Sequence, residues 1–151
     1  MSYEIAIPSY NRKDILKNKT LALLKRKDIP NYRIKIFVET EQMKNDYIAN
    51  GIIDYDYIVT ETNGIMEKRN YIETYYHESE LFGFVSIDDD IEDIFELTED
   101  GKDVKSIENL TEFIEKAFDE TFHLGYSLWG VSALHNPFFM SKEKSTNLKY
   151  I

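Results

Sequence analysis

Apolar residues in this chain fall into short runs separated by stretches of helical spacing. The runs at 3–8 (YEIAIP), 33–39 (RIKIFVE), 56–60 (DYIVT) and 81–87 (LFGFVSI) are rich in β-branched and aromatic residues and bounded by polar ones, which predicts buried strands. Between them, 11–25 carries Leu16, Thr20, Leu23 and Leu24 at helical spacing, and 41–50 reads as a short helix closed by Gly51. Asn63 is placed to cap a helix running to residue 78, with Ile65, Arg69, Ile72 and Tyr76 on one stripe. Beyond the fourth run, 94–106 contains Glu99-Asp100-Gly101-Lys102, a turn signal between two short strands. Asn109 caps a strongly amphipathic helix with Leu110, Phe113, Ile114, Ala117, Phe118 and Thr121 inward, closed by Gly125, and 128–133 is a last predicted strand.

Strands alternating with helices of this length predict βαβ units, hence an α/β fold with a mainly parallel, Rossmann-like sheet, flanking helices and a small hairpin. Ligands of such sheets bind outside the carboxyl ends of the strands. Those ends carry Pro8-Ser9-Tyr10-Asn11-Arg12, then Glu39-Thr40, then Thr60-Glu61-Thr62-Asn63, then Asp88-Asp89-Asp90. Topology alone therefore gathers these polar residues on one rim.

Composition narrows the choice of ligand. At 151 residues the chain is read as one domain with a real core. Its 18 basic and 28 acidic residues give a net charge of −10, which opposes nucleic acid as a partner. An anionic ligand must be met by a few local cations or by a metal. There is no cysteine, so no disulfide framework, thiolate metal site or thiol nucleophile is available. The N-terminus lacks a signal-peptide pattern and no apolar run is long enough to span a membrane, so a soluble cytoplasmic protein is expected.

Three adjacent carboxylates at the end of a buried strand repel one another by roughly 1 kcal/mol or more per pair unless something positive offsets them. Mg²⁺ or Mn²⁺ is a usual offset, since hard cations take oxygen ligands and share them with phosphates. The bland reading is a solvated acidic turn. Arg69 and Lys68, in the first turns of a helix starting at the rim, are placed to reach a diphosphate there, helped by the positive helix end.

Pro8-Ser9-Tyr10-Asn11-Arg12 after the first strand, Glu39 after the second, Asn63-Gly64 with Lys68-Arg69-Asn70, and an apolar strand leading into Asp88-x-Asp90 resemble the nucleotide-sugar half of GT-A fold glycosyltransferases, small viral and phage members above all. Order and spacing match over residues 3–92. The resemblance implies a metal-dependent transfer of a sugar from a nucleotide-sugar donor, UDP-linked, to a glycan or other hydroxyl acceptor. Pro8, Ser9 and Tyr10 would line the base pocket, with Arg12 near base or phosphates and Glu39 accepting from base or ribose. Arg69 would neutralise the diphosphate, Asp88 and Asp89 would contact donor, and Asp88 with Asp90 would hold Mn²⁺ or Mg²⁺ and serve the chemistry.

The span 93–151 then reads as the start of an acceptor half, short beside the usual one, so transfer is expected to be slow or limited to hydrolysis. Trp129 is either a sugar-stacking platform or a core aromatic, and Glu92, Asp93 and His135 are weak candidates for a base. Three rivals remain. A donor-binding module without transfer keeps the same residues. A nucleotidyltransferase would need a glycine-rich loop where Ser9-Tyr10-Asn11 has none. An EF-hand loop at 88–99 would need glycine where Asp93 stands.

Overall fold

A computed structural model of the protein describes residues 2–131 and 136–140. The chain divides into two units, Met1–Glu92 and Asp93–Ile151. In the first, β1 (Tyr3–Pro8), β2 (Ile34–Val38), β3 (Asp56–Val59) and β4 (Gly83–Ser86) pair in the order β3-β2-β1-β4, every pair parallel. The sheet steps one way from β1 to β3 and then returns past β1 to add β4. Right-handed crossovers therefore place the helices of the first two connections on one face and that of the third on the other. This is an α/β sheet compatible with a Rossmann-like fold.

On the first face, Ile5, Ile7, Ile34 and Ile36 share one side by register. They are buried with Leu16 of α1 (Lys13–Asn18), Leu23 and Leu24 of α2 (Thr20–Arg26), and Met43 and Tyr47 of α3 (Glu41–Ala49). On the other face, Ala6 and Phe37 form a core cluster with Ile72 and Tyr76 of α4 (Ile65–His77). Tyr76 stacks on Phe84 with ring centroids 4.4 Å apart.

Three local expectations are corrected. The helix foreseen over 11–25 is two helices broken at Lys19 (φ −111°, ψ −88°), although Leu16, Thr20, Leu23 and Leu24 are all fully buried as their spacing predicts. The residue preceding α4 is Gly64 (φ 90°, ψ 172°), a backbone region open essentially to glycine, so Asn63 is not the cap. Asn63 instead donates its backbone N–H to Glu67 Oε2 at 2.8 Å. The buried stripe of α4 is Lys68, Ile72 and Tyr76, one residue out of phase with the predicted one at its start, and Ile65 is 50% exposed.

In the second unit, β5 (Phe95–Leu97) and β6 (Val104–Ser106) form the antiparallel hairpin expected there. Asn109 Oδ1 accepts from the Glu112 N–H at 3.0 Å and caps α5 (Leu110–His123). Leu110, Ile114 and Phe118 are its buried positions. Trp129 meets Phe113 and Phe118 edge-on, at 6.1 and 5.6 Å between centroids, so it serves as a packing aromatic. The predicted strand at 128–133 is irregular over its described part, where Leu128 is 77% and Val131 58% exposed. Residues 132–133 and His135 lie outside the described residues. Among the described residues no helix is long and apolar enough to cross a membrane.

Candidate functional site

The strand order reverses between β1 and β4, the position at which ligands of open α/β sheets bind. A cavity of about 520 Å³ occupies this position. Its lining comes from all four strand ends: Pro8, Ser9, Tyr10 and Arg12 after β1, Glu39 after β2, Asn63 and Gly64 after β3, and Asp88, Asp89 and Asp90 after β4, with Ile65, Lys68 and Arg69 from α4. The nine residues to which the resemblance gives a donor or metal role thus line one cavity.

The three aspartates are not equivalent. β4 ends at Ser86, and in the turn that follows Asp89 is buried while Asp88 and Asp90 stay partly exposed. Asp89 is 4% exposed and its oxygens are both engaged: Oδ2 accepts from the Ser9 hydroxyl at 2.7 Å, and Oδ1 lies 2.9 Å from Arg12 Nη1. Asp89, expected to contact a donor, lines the cavity and also ties the β1 and β4 loops together. Asp88 and Asp90 remain half-exposed at the cavity, paired with Arg69 Nη2 at 2.9 Å and Arg12 Nη2 at 2.9 Å. The hydrogen bond that Arg12 donates to Asp90, and the charge of Asp89, push the guanidinium above its ordinary value.

Tyr47, which the sequence reading missed, completes a closed circuit. A carboxylate only accepts, so Ser9 donates to Asp89 and must itself accept from the Tyr47 hydroxyl, 2.8 Å away. Tyr47 in turn accepts the backbone N–H of Arg12 at 3.0 Å. The circuit begins at the backbone of Arg12 and returns to its guanidinium. Burial pushes the Tyr47 phenol up, which keeps it protonated as the donor this requires.

Lys68, named beside Arg69 in the sequence but not placed at the site's centre, is the buried cation. It is 1% exposed, donates to the Ser9 carbonyl at 2.9 Å, and sits 3.4 Å from Glu39 Oε1. Its Nζ also lies 5.6 Å from the centroid of the Tyr10 ring, a cation–π distance. Burial lowers its pKa, opposed by the charge of Glu39. The same Glu39 oxygen accepts the Gly64 N–H at 3.1 Å, anchoring the start of α4 to the end of β2. Thr20, at the break between α1 and α2, donates to the Asp88 carbonyl at 2.7 Å and accepts the Ile91 N–H at 2.9 Å, which fixes the backbone of the acidic loop.

Among the described residues the cavity therefore sets four carboxylates (Glu39, Asp88, Asp89, Asp90) against three cations (Arg12, Lys68, Arg69). No group of three or more His, Asp or Glu among them converges as a ready-made cation cage. Asp88 and Asp90 nevertheless fit the hard-cation chemistry of Mg²⁺ or Mn²⁺, which binds through one or two carboxylates and completes its shell with water and phosphate oxygens. No protein-family model matches this chain, nor does any curated protein or solved structure.

Proposed function

We propose that the cavity binds a nucleotide-sugar and that the chain is a metal-dependent glycosyltransferase of GT-A type, with a UDP-linked donor. The observation that carries this reading is the convergence of four separate strand ends on one cavity, whose charged residues have the signs a diphosphate and its cation require. Tyr10, 54% exposed beside Lys68, offers a ring face to a base, and Glu39 with Lys68 offers polar partners for its edge. Arg12 and Arg69 reach the diphosphate as bidentate, always-charged donors. Asp88 and Asp90 hold Mn²⁺ or Mg²⁺, which supplies charge stabilisation for the departing nucleoside diphosphate. Thr20 and the Tyr47–Ser9–Asp89 circuit keep those carboxylates and Arg12 in register.

A second reading, a donor-binding module that does not transfer, is favoured by one observation. Every carboxylate lining the cavity has a cationic partner within 3.4 Å, which leaves none poised to take a proton from an acceptor. A panel of nucleotide-sugars with and without Mn²⁺ separates the two. Thermal stabilisation together with release of nucleoside diphosphate supports the enzyme. Stabilisation without release supports the module, and no response to any donor overturns both.

A further inference from the structure

We propose that the arginine–carboxylate pairs form a lock, so that the cavity takes a divalent cation and a diphosphate as one unit and resists either alone. The inference rests on reading the cavity as a diphosphate site. The guanidinium groups that would meet phosphate are engaged with the carboxylates that would meet the cation: Arg69 with Asp88 at 2.9 Å, and Arg12 with Asp90 at 2.9 Å.

A cation arriving alone must part a carboxylate from its arginine and then sit beside the displaced positive charge. A diphosphate arriving alone must draw off the arginines, which leaves the acids repelling one another and the incoming phosphates. Each half of the exchange is opposed by like charge. Arriving together, each guanidinium trades a carboxylate for a phosphate and each carboxylate trades a guanidinium for the cation. The contacts between opposite charges are then conserved.

The two locks differ in how far they open. Arg12 also pairs with Asp89 at 2.9 Å, and Asp89 is buried and held by Ser9. Release of Asp90 therefore frees one arm of Arg12 while the other stays anchored, so the group pivots. Arg69 and Asp88 are 56% and 50% exposed, so this pair opens into solvent. Arg69 is thus the looser latch and the better place to pick it.

The thermodynamic signature is reciprocal: if the cation tightens diphosphate binding by some factor, diphosphate tightens cation binding by the same factor. Calorimetric titration of the full chain measures this with Mn²⁺ alone, inorganic pyrophosphate alone, and each in the presence of the other, with the Mn²⁺–pyrophosphate equilibrium in solution subtracted. Wild type should show each partner tightening the other at least about 10-fold, within the usual range of coupling. Arg69→Gln should bind Mn²⁺ alone several-fold more tightly than wild type, because Asp88 is unlatched, and its coupling should shrink. The double variant Arg69→Gln/Asp88→Asn should lose that gain, which separates unlatching from a change of fold. Independent binding of the two partners in wild type, or unchanged Mn²⁺ affinity in Arg69→Gln, overturns the lock. If the coupling holds but no nucleotide-sugar binds, the lock stands and the glycosyltransferase reading falls.

Discussion

Ser9 donates its hydroxyl proton to Asp89 Oδ2 at 2.7 Å across 80 positions of sequence, and this bond joins the carboxyl ends of the two strands that flank the switch point. It explains why the middle acid of Asp88-Asp89-Asp90 is buried while its neighbours face the cavity. It also makes the shape of the site depend on a hydroxyl and a phenol, neither of which carries charge.

The Tyr47–Ser9–Asp89 circuit should behave as a unit. Ser9→Ala takes a donor from a buried Asp89 oxygen and leaves the Tyr47 hydroxyl proton without its acceptor, and should cost about 2 kcal/mol. Tyr47→Phe should cost about 1–2 kcal/mol by stranding the Arg12 N–H. The double variant should cost clearly less than the sum, as residues in one hydrogen-bond network do. Urea unfolding of the four proteins measures the cycle, and simple additivity would refute the circuit.

Asp89→Asn and Asp90→Asn should separate structure from binding. Asp89→Asn disturbs a buried carboxylate that holds both Ser9 and the half-exposed Arg12, and should lower Tm by at least about 5 °C. Asp90 is 41% exposed, so Asp90→Asn should shift Tm by less than about 3 °C while abolishing Mn²⁺-dependent binding of a nucleoside diphosphate. Thermal melts with and without Mn²⁺ and UDP read both effects. Retained Mn²⁺ dependence in Asp90→Asn would remove this residue from the cation site.

Lys68 gives the fold a pH dependence. Burial holds its folded pKa below the ordinary 10.5, so between those two values the unfolded chain keeps a proton that the folded chain has lost. Stability contributed by Lys68 therefore rises with pH through that window and falls as pH drops through the folded value. Lys68→Met should flatten this slope, and should destabilise by about 3 kcal/mol at neutral pH because Glu39 is left unpaired. Lys68→Met/Glu39→Gln should recover most of that loss. Chemical unfolding from pH 7 upward checks the sign, and a slope unaltered by Lys68→Met refutes it.

Gly64 is confined by conformation and not by space. A Cβ placed there meets nothing within 4 Å, yet its φ of 90° is strained for any L side chain. Gly64→Ala should cost about 1–3 kcal/mol and loosen the Gly64 N–H bond to Glu39. Calorimetric melting tests the first. Weaker binding of nucleoside than in wild type would report the second, and wild-type stability would contradict both.

Much of the first unit was legible because its strands are dense apolar runs with polar boundaries. The rim residues followed, since a parallel sheet sends all its carboxyl ends the same way. What escaped the sequence has physical reasons. The break at Lys19 carries neither glycine nor proline to announce it, and Thr20 beyond it serves the Asp88–Ile91 backbone from 68 positions away. The inward stripe of α4 includes an amine, so a count of apolar residues chose the wrong phase and put Arg69 where Lys68 belongs. Lys68 goes inside only because Glu39 and the Ser9 carbonyl, both distant in sequence, satisfy it. Tyr47 looked like one more core aromatic, and nothing local betrays that its hydroxyl is aimed at Ser9.

The strand order also sets when the cavity can come into being. β1 meets β2 by closing a loop from Ile5 to Ile34, but it meets β4 only by closing one from Tyr3 to Gly83. The longer closure costs about 0.9 kcal/mol more chain entropy, on the (3/2)RT ln n scaling. On a chain emerging from the ribosome, β1, β2 and β3 can pair while β4 is still unmade. Until it docks, β1 presents an open edge, and Ser9 and Arg12 face no aspartate. Assembly of the cavity is therefore a late event of folding, coincident with the sealing of that edge, and a nascent chain halted before residue 83 would be both unable to bind and prone to pair with a neighbour.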